Sequence, residues 1–272
     1  VSGLDEVFAA CREEGRAAFI PFIMAGDPDL ATTLELVGAL VEGGADVIEI
    51  GVPFSDPIAD GPVNQRAAIR ALASGTTLSG VLEMVALARR RWELPIVLFS
   101  YFNPILAEGL DEFAARAATS GVDGVLCLDL PPEEAVPEYT EALTSEGLAP
   151  IFLLAPTSTP ARVKRVDRIA AGFVYYVSRT GVTGAHREID PALIAQARRL
   201  RRRLHHPLAV GFGIASAEQA AAIGAVADGV VVGSALVRLV EEHGRAAAGP
   251  LAAASRELST ALRRRKKSWL GR

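Results

Sequence analysis

Residues 47–61 read Val-Ile-Glu-Ile-Gly-Val-Pro-Phe-Ser-Asp-Pro-Ile-Ala-Asp-Gly. The first four residues, Val47–Ile50, form a short β-rich run that is apolar on both faces except for Glu49. Such a run belongs in a parallel sheet covered by helices. Gly43-Gly44 end a helix before it, and a helix over 62–73 follows the loop.

The same unit recurs along the chain. Strands are predicted at Ala18–Ile23, Val47–Ile50, Ile96–Ser100, Gly124–Leu128, Ile151–Leu154, Phe173–Val177, Leu208–Val210 and Gly229–Val232. Helices are predicted at 31–43, 62–73 with 77–91, 111–119, 133–146, 160–170, 190–204, 216–224 and 234–243. Thr77 and Ser216 stand where N-cap residues belong, and Asp190-Pro191 is a cap followed by proline at the first helical position. Gly121 and Gly147 end helices. Repeated β-α units with right-handed crossovers give a parallel sheet, and this number of units predicts a closed TIM (β/α)8 barrel. An open doubly wound sheet is the alternative, but no G-x-G-x-x-G follows the first strand. Extra helices are expected before strand 1 (Leu4–Glu14) and after strand 8 (Pro250–Arg265). No Pro-, Gly- or Ser-rich linker divides residues 1–272, so one domain is expected, with a short basic tail from about 263.

Composition narrows the chemistry. The chain has 272 residues, 50% hydrophobic and 22% charged, with a net charge of −4 and a mean hydropathy of +0.27, which excludes a mainly disordered chain. That balance gives no support to nucleic-acid binding. No apolar stretch reaches the roughly 18 residues of a membrane span. The acidic start does not read as a signal peptide, and the two cysteines, Cys11 and Cys127, form no disulfide scaffold, so a cytoplasmic protein is expected. Cys127 reads as a small core residue.

In barrels of this kind chemistry sits at the C-terminal ends of the strands. The three lysines, Lys164, Lys266 and Lys267, stand at none of those ends, which removes Schiff-base and pyridoxal-phosphate chemistry from this chain. The four histidines, His186, His205, His206 and His243, lack metal-ligand spacing, so no metal is expected. Carboxylates and tyrosines remain. Glu49, buried in an apolar strand, would have a raised pKa, and a second carboxylate nearby would raise it further. A Glu tuned in this way serves first as general acid and then as general base. The competing reading is a Glu satisfied by backbone amides or an arginine. Val52–Gly61 reads as a lid; Asp56 fits ordinary turn chemistry, whereas Asp60 is placed to reach back towards Glu49.

These residues resemble the tryptophan synthase alpha chain family, and the resemblance runs across nearly the whole chain. It is carried by residues 48–61, Pro21-Phe22, Gly26-Asp27-Pro28, Tyr101, Asn103, Asp129, Pro131, Tyr175, residues 178–184, Gly211-Phe212-Gly213-Ile214 and Gly233-Ser234. The resemblance implies retro-aldol cleavage of indole-3-glycerol phosphate to indole and glyceraldehyde 3-phosphate, with no cofactor in this chain. It makes Glu49 the acid–base residue and Asp60 the acceptor of the indole N–H. It assigns the phosphate to Gly184, Gly213, Gly233 and Ser234, in agreement with the habit of barrels to hold phosphate after strands 7 and 8. Phe22, Leu126, Leu128, Leu153, Tyr175 and Phe212 lie near strand ends, where a flat apolar indole fits. The Tyr175 hydroxyl is expected to orient Asp60, while Tyr176 points to the opposite face. Arg179–Arg187 reads as a second lid whose Thr183 would touch Asp60 on closure. Phe99 and Ser100 depart from the bulkier aliphatic residues often found in the family.

The resemblance also implies a partner, a pyridoxal-phosphate beta chain in an alpha-beta-beta-alpha heterotetramer, docked on 52–61, Asn103-Pro104 and Asp129–Pro132. Two other readings stand beside the lyase. One is another phosphate-binding barrel isomerase or epimerase, and the other is a non-catalytic barrel that activates a partner. The basic run Arg198–Arg203 with His205-His206 reads as a solvated helix end, and Arg263–Lys267 as a basic extension.

Overall fold

The computed structural model describes residues 3–134, 137–177, 190–211 and 213–263. Its elements run α1 (Gly3–Glu13), β1 (Ala18–Met24), α2 (Leu30–Glu42), β2 (Ile48–Gly51), α3 (Pro62–Ala73), α4 (Leu78–Arg89), β3 (Ile96–Ser100), α5 (Phe102–Glu108), α6 (Leu110–Thr119) and β4 (Gly124–Cys127). They continue α7 (Pro137–Ser145), β5 (Ala149–Leu154), α8 (Pro160–Ile169), β6 (Val174–Val177), α9 (Pro191–Arg201), β7 (Leu208–Gly211), α10 (Ala217–Gly224), β8 (Gly229–Val232), α11 (Ser234–His243) and α12 (Ala248–Arg263). The strands pair in sequence order, all parallel, and β1 closes on β8. The fold is the expected (β/α)8 barrel with helices before β1 and after β8.

Alternation along each strand builds two apolar layers. Phe19, Ile23, Ile48, Ile50, Leu98 and Tyr176 face outward into the shell beneath the helices. Ala18, Ile20, Val47, Val97, Leu126, Ile151, Tyr175 and Ala209 face inward. Helix α1 seals the lower end of that interior with Leu4, Phe8 and Cys11, and the Phe8 ring lies 5.6 Å from that of Phe173. Carboxylates just before the strands hold the same end. Asp46 accepts from Phe19 N and from Arg16, Asp123 from Ile96 N, and Asp228 from Leu208 N. Each satisfies an amide at the start of a neighbouring strand, the first of β3 and β7 and the second of β1.

Local chemistry explains the boundaries. Thr77, Ser216 and Asp190 cap α4, α10 and α9 through their side chains, as the sequence predicts. Helix α7 begins at Pro137 rather than 133, because proline fits only the first turn and residues 133–134 form a turn before it. Helix α5 has no counterpart in the sequence reading. It is seven residues long, contains Pro104, and receives help from a distant residue: Asp129 accepts from Phe102 N at 2.7 Å. The expected second lid with Thr183 and Gly184, the pocket residue Phe212, and the tail beyond 263 lie outside the described residues.

Phe8 is 3% exposed and closes the barrel interior. Phe8→Ala is expected to lower stability by about 3 kcal/mol in urea denaturation, with activity per folded molecule retained. A loss below about 1 kcal/mol would show that α1 is not a structural plug.

Candidate active site

Glu49 lies on the inward face of β2, paired in register with Phe22 of β1 and Val97 of β3. Its neighbours Ile48 and Ile50 point outward, so the one polar residue of the strand faces the barrel interior. The next inward position is Gly51, where a Cβ would stand 2.7 Å from the Phe22 ring. The missing side chain lets that ring lie across the mouth.

Glu49 is 1% exposed, and among the described residues its Oε1 has no hydrogen-bond partner. Among the described residues neither a backbone amide nor an arginine satisfies that oxygen, which weighs against the competing structural reading. Burial, and then the charge of Asp60, push the Glu49 pKa from 4.5 up to about 8. Near neutral pH the residue is a proton donor.

Asp60 ends the loop before α3 and is held from three directions. The Tyr101 hydroxyl donates to Oδ2 at 2.9 Å, and Asn64 Nδ2 contacts Oδ1 at 3.4 Å. Gln65 Nε2 donates to the carbonyls of Asp60 at 3.0 Å and Pro57 at 3.3 Å. Burial raises the Asp60 pKa, and the bonds from Tyr101 and Asn64 oppose that rise. Tyr101 caps α5 in an extended conformation just past β3, and its ring lies 5.1 Å from that of Phe54. The expectation that Tyr175 orients Asp60 is therefore corrected, since the bonded hydroxyl is that of Tyr101. Tyr175 faces inward on β6 beside β7, and a Cβ at Gly211 would meet its hydroxyl at 2.2 Å. Its pKa is nevertheless raised well above 10 by burial and by the nearby charges of Glu49 and Asp60. Tyr176 points outward, as expected, and donates to Gln196 Oε1 at 2.7 Å.

Apolar side chains surround the two carboxyls. Phe22, Leu126, Leu128, Leu153 and Tyr175 all belong to inward or mouth-facing clusters. Phe99 joins them, edge-on to Phe22 at 5.0 Å, so its departure from an aliphatic residue adds an aromatic wall. Ser100 is buried and donates to Tyr101 O at 2.9 Å. Gly213 follows β7 with a φ of +77°, and Gly233 caps α11 with no side chain on the first-turn amides. Ser234 opens that helix, leaving its amide end without a capping group, as an anion site requires.

The sequence reading did not single out Asn64, Gln65 or Phe54, and it noted Tyr101 only as a point of resemblance. A tyrosine directly after an apolar strand, at the mouth of a barrel, is the signal that would have found Tyr101. Among the described residues no three His, Cys, Asp or Glu side chains gather into a metal-binding group. The arrangement as a whole sets one protonated, solvent-excluded carboxyl beside one hydrogen-bonded carboxyl at the barrel mouth. It suits proton transfer to an apolar, cation-forming substrate.

Comparison with known proteins agrees. The family model for the tryptophan synthase alpha chain matches residues 8–265. The tryptophan synthase alpha chain of Laribacter hongkongensis is 56% identical over 243 residues, covering 89% of this chain and 91% of that one. That of Geobacter sulfurreducens is 51% identical over 249 residues, covering 92% and 94%. Tryptophan synthase subunit alpha from Legionella pneumophila superposes with a TM-score of 0.90 at 37% identity, covering 96% and 98%. A chain of the tryptophan synthase a2b2 complex from the hyperthermophile Pyrococcus furiosus gives 0.85 at 43% identity, covering 89% and 98%. The chain belongs to the tryptophan synthase alpha chain family.

Proposed function

We propose that this chain cleaves indole-3-glycerol phosphate to indole and glyceraldehyde 3-phosphate. The observation that carries the reading is the buried Glu49 carboxyl, with Oε1 lacking a partner among the described residues, beside the hydrogen-bonded Asp60. Protonated Glu49 delivers its proton to the indole ring carbon that bears the glycerol chain. Positive charge then builds on the ring nitrogen, and Asp60 accepts the N–H hydrogen bond and stabilises that cation. Glu49, now a carboxylate, takes the proton of the glycerol hydroxyl. That oxygen becomes the aldehyde carbonyl, the carbon–carbon bond breaks, and its electron pair restores the aromatic ring.

Phe22, Leu126, Leu128, Leu153, Tyr175 and Phe212 hold the indole, and Thr183 reaches Asp60 when the second lid closes. Gly184, Gly213, Gly233 and Ser234 bind the phosphate through backbone amides and a hydroxyl. The chain uses no cofactor or metal of its own, because ring protonation makes the leaving group. A beta chain carrying pyridoxal phosphate receives the indole, docked on 52–61, Asn103-Pro104 and Asp129–Pro132. The a2b2 complex from Pyrococcus furiosus supports that assembly. The family match over 8–265 supports a single barrel domain spanning 1–272. A cytoplasmic location fits a biosynthetic reaction and two free, buried cysteines.

The reading is tested by indole release from indole-3-glycerol phosphate, with and without a beta chain. No release under either condition would overturn it. Glu49→Gln is expected to abolish cleavage and to gain stability. Holding a carboxyl neutral at pH 7 against a pKa of 4.5 in the unfolded chain costs about 3 kcal/mol, which glutamine does not incur. Because the folded pKa is raised, the stability contributed by Glu49 is fully present below 4.5 and is lost as pH rises to about 8. The gain in Glu49→Gln should therefore shrink towards pH 4.5; a gain independent of pH would show that Glu49 is not a buried neutral acid.

Asp60→Asn removes a negative neighbour, so it should slow cleavage strongly and move the alkaline limb of the rate profile, set by Glu49, to below about 8. An unmoved limb would separate the two carboxyls. Ser234→Asp should raise KM through repulsion of the phosphate, and an unchanged KM would misplace that subsite.

A further inference from the structure

We propose that Tyr101 is a positioning residue that gives the two oxygens of Asp60 different tasks, fixing Oδ2 so that Oδ1 takes the indole N–H. This rests on the reaction proposed above and names the group that orients its second carboxylate. The two oxygens are held unequally. Oδ2 accepts from the Tyr101 hydroxyl at 2.9 Å, an ordinary strong contact. Among the described residues Oδ1 has only Asn64 Nδ2 at 3.4 Å, near the limit of a hydrogen bond.

The Tyr101 hydroxyl is not free to follow Asp60. It accepts from Ala59 N at 3.0 Å, so its proton has one direction left, towards Oδ2. The ring below is 3% exposed and packs beside Phe54. Its backbone is held by Ser100 Oγ on the Tyr101 carbonyl and by Asp129 on the next amide. Every atom that sets the hydroxyl position is anchored outside the loop that carries Asp60, except the Ala59 amide and the Phe54 ring.

Asn64 is the opposite case. Its Oδ1 is buried with no partner among the described residues, so the amide sits in a compromise orientation. When a better donor arrives at Asp60 Oδ1, the long contact is lost at little cost, and the amide gains by turning its own oxygen elsewhere. An indole N–H pointed at a carboxylate that develops charge complementarity is such a donor. Among the described residues the titratable groups around Asp60 are Glu49 on β2, Tyr101 after β3 and Tyr175 on β6, and Asn64 on α3 is the polar neutral neighbour.

The test compares wild type, Tyr101→Phe and Asn64→Ala. Tyr101→Phe keeps the ring and deletes the hydroxyl. Its kcat should fall about tenfold while KM changes by less than about threefold, because a charge-assisted bond aligning the carboxylate is lost. The acid limb of the kcat profile, and the Asp60 titration followed by carboxyl 13C NMR in the free chain, should both move up by about one pH unit. Asn64→Ala should lower KM by about twofold, since the competitor for Oδ1 is gone.

A merely structural role for Tyr101 would raise KM and lower the melting temperature without moving the titration, and that result overturns the proposal. So does an Asn64→Ala variant that reproduces the kcat loss of Tyr101→Phe, which would assign the substrate to Oδ2. If wild type releases no indole, the reaction reading fails on its own. The NMR titration still decides whether Tyr101 governs Asp60, and an unmoved titration there overturns that hold as well.

Discussion

The site depends on one unfavourable interaction, a carboxyl with an unpartnered oxygen kept dry within the field of another. Glu49 gains its acidity near neutral pH from burial first and from Asp60 second. Water at the mouth would undo both, by solvating the anion and by screening the pair. Much of the barrel can be understood as the means of keeping that position dry. α1 closes the lower end with Leu4, Phe8 and Cys11, and the carboxylates Asp46, Asp123 and Asp228 tie the strand starts together. Above Glu49, Gly51 leaves space that the Phe22 ring covers. The rigid shell supplies stability that the site itself does not, a common division between scaffold and active site.

Legibility followed the range of the interaction. Strands apolar on both faces and helices with local caps were readable, because their causes lie within a few residues. Glu49 was readable for the same reason, as the single residue violating its strand's pattern. Interactions that join distant segments were not. Helix α5 is too short for a periodic signal and owes its first turn to Asp129, 27 positions away. The Asp60 partner was misassigned between two tyrosines that both converge on the barrel mouth. Tyr175 lies on an inward strand position, so alternation favours it, while Tyr101 falls past the end of β3, where alternation says nothing. Only the loop path that brings Ala59 and Asp60 against the end of β3 distinguishes them.

The same electrostatics explain a feature of composition, the absence of lysine from the strand ends. A cation at the mouth would be the simple way to hold a phosphate. It would also favour the Glu49 anion and pull its pKa back towards 4.5, removing the proton the reaction needs. The phosphate site proposed above would instead use glycine-flanked amides and the open N-terminus of α11, whose partial charges fall off within a turn. In the proposed reaction, an acid with a pKa near 8 and a phosphate held without lysine are therefore two expressions of one constraint, that among the described residues no cation shifts the Glu49 carboxyl.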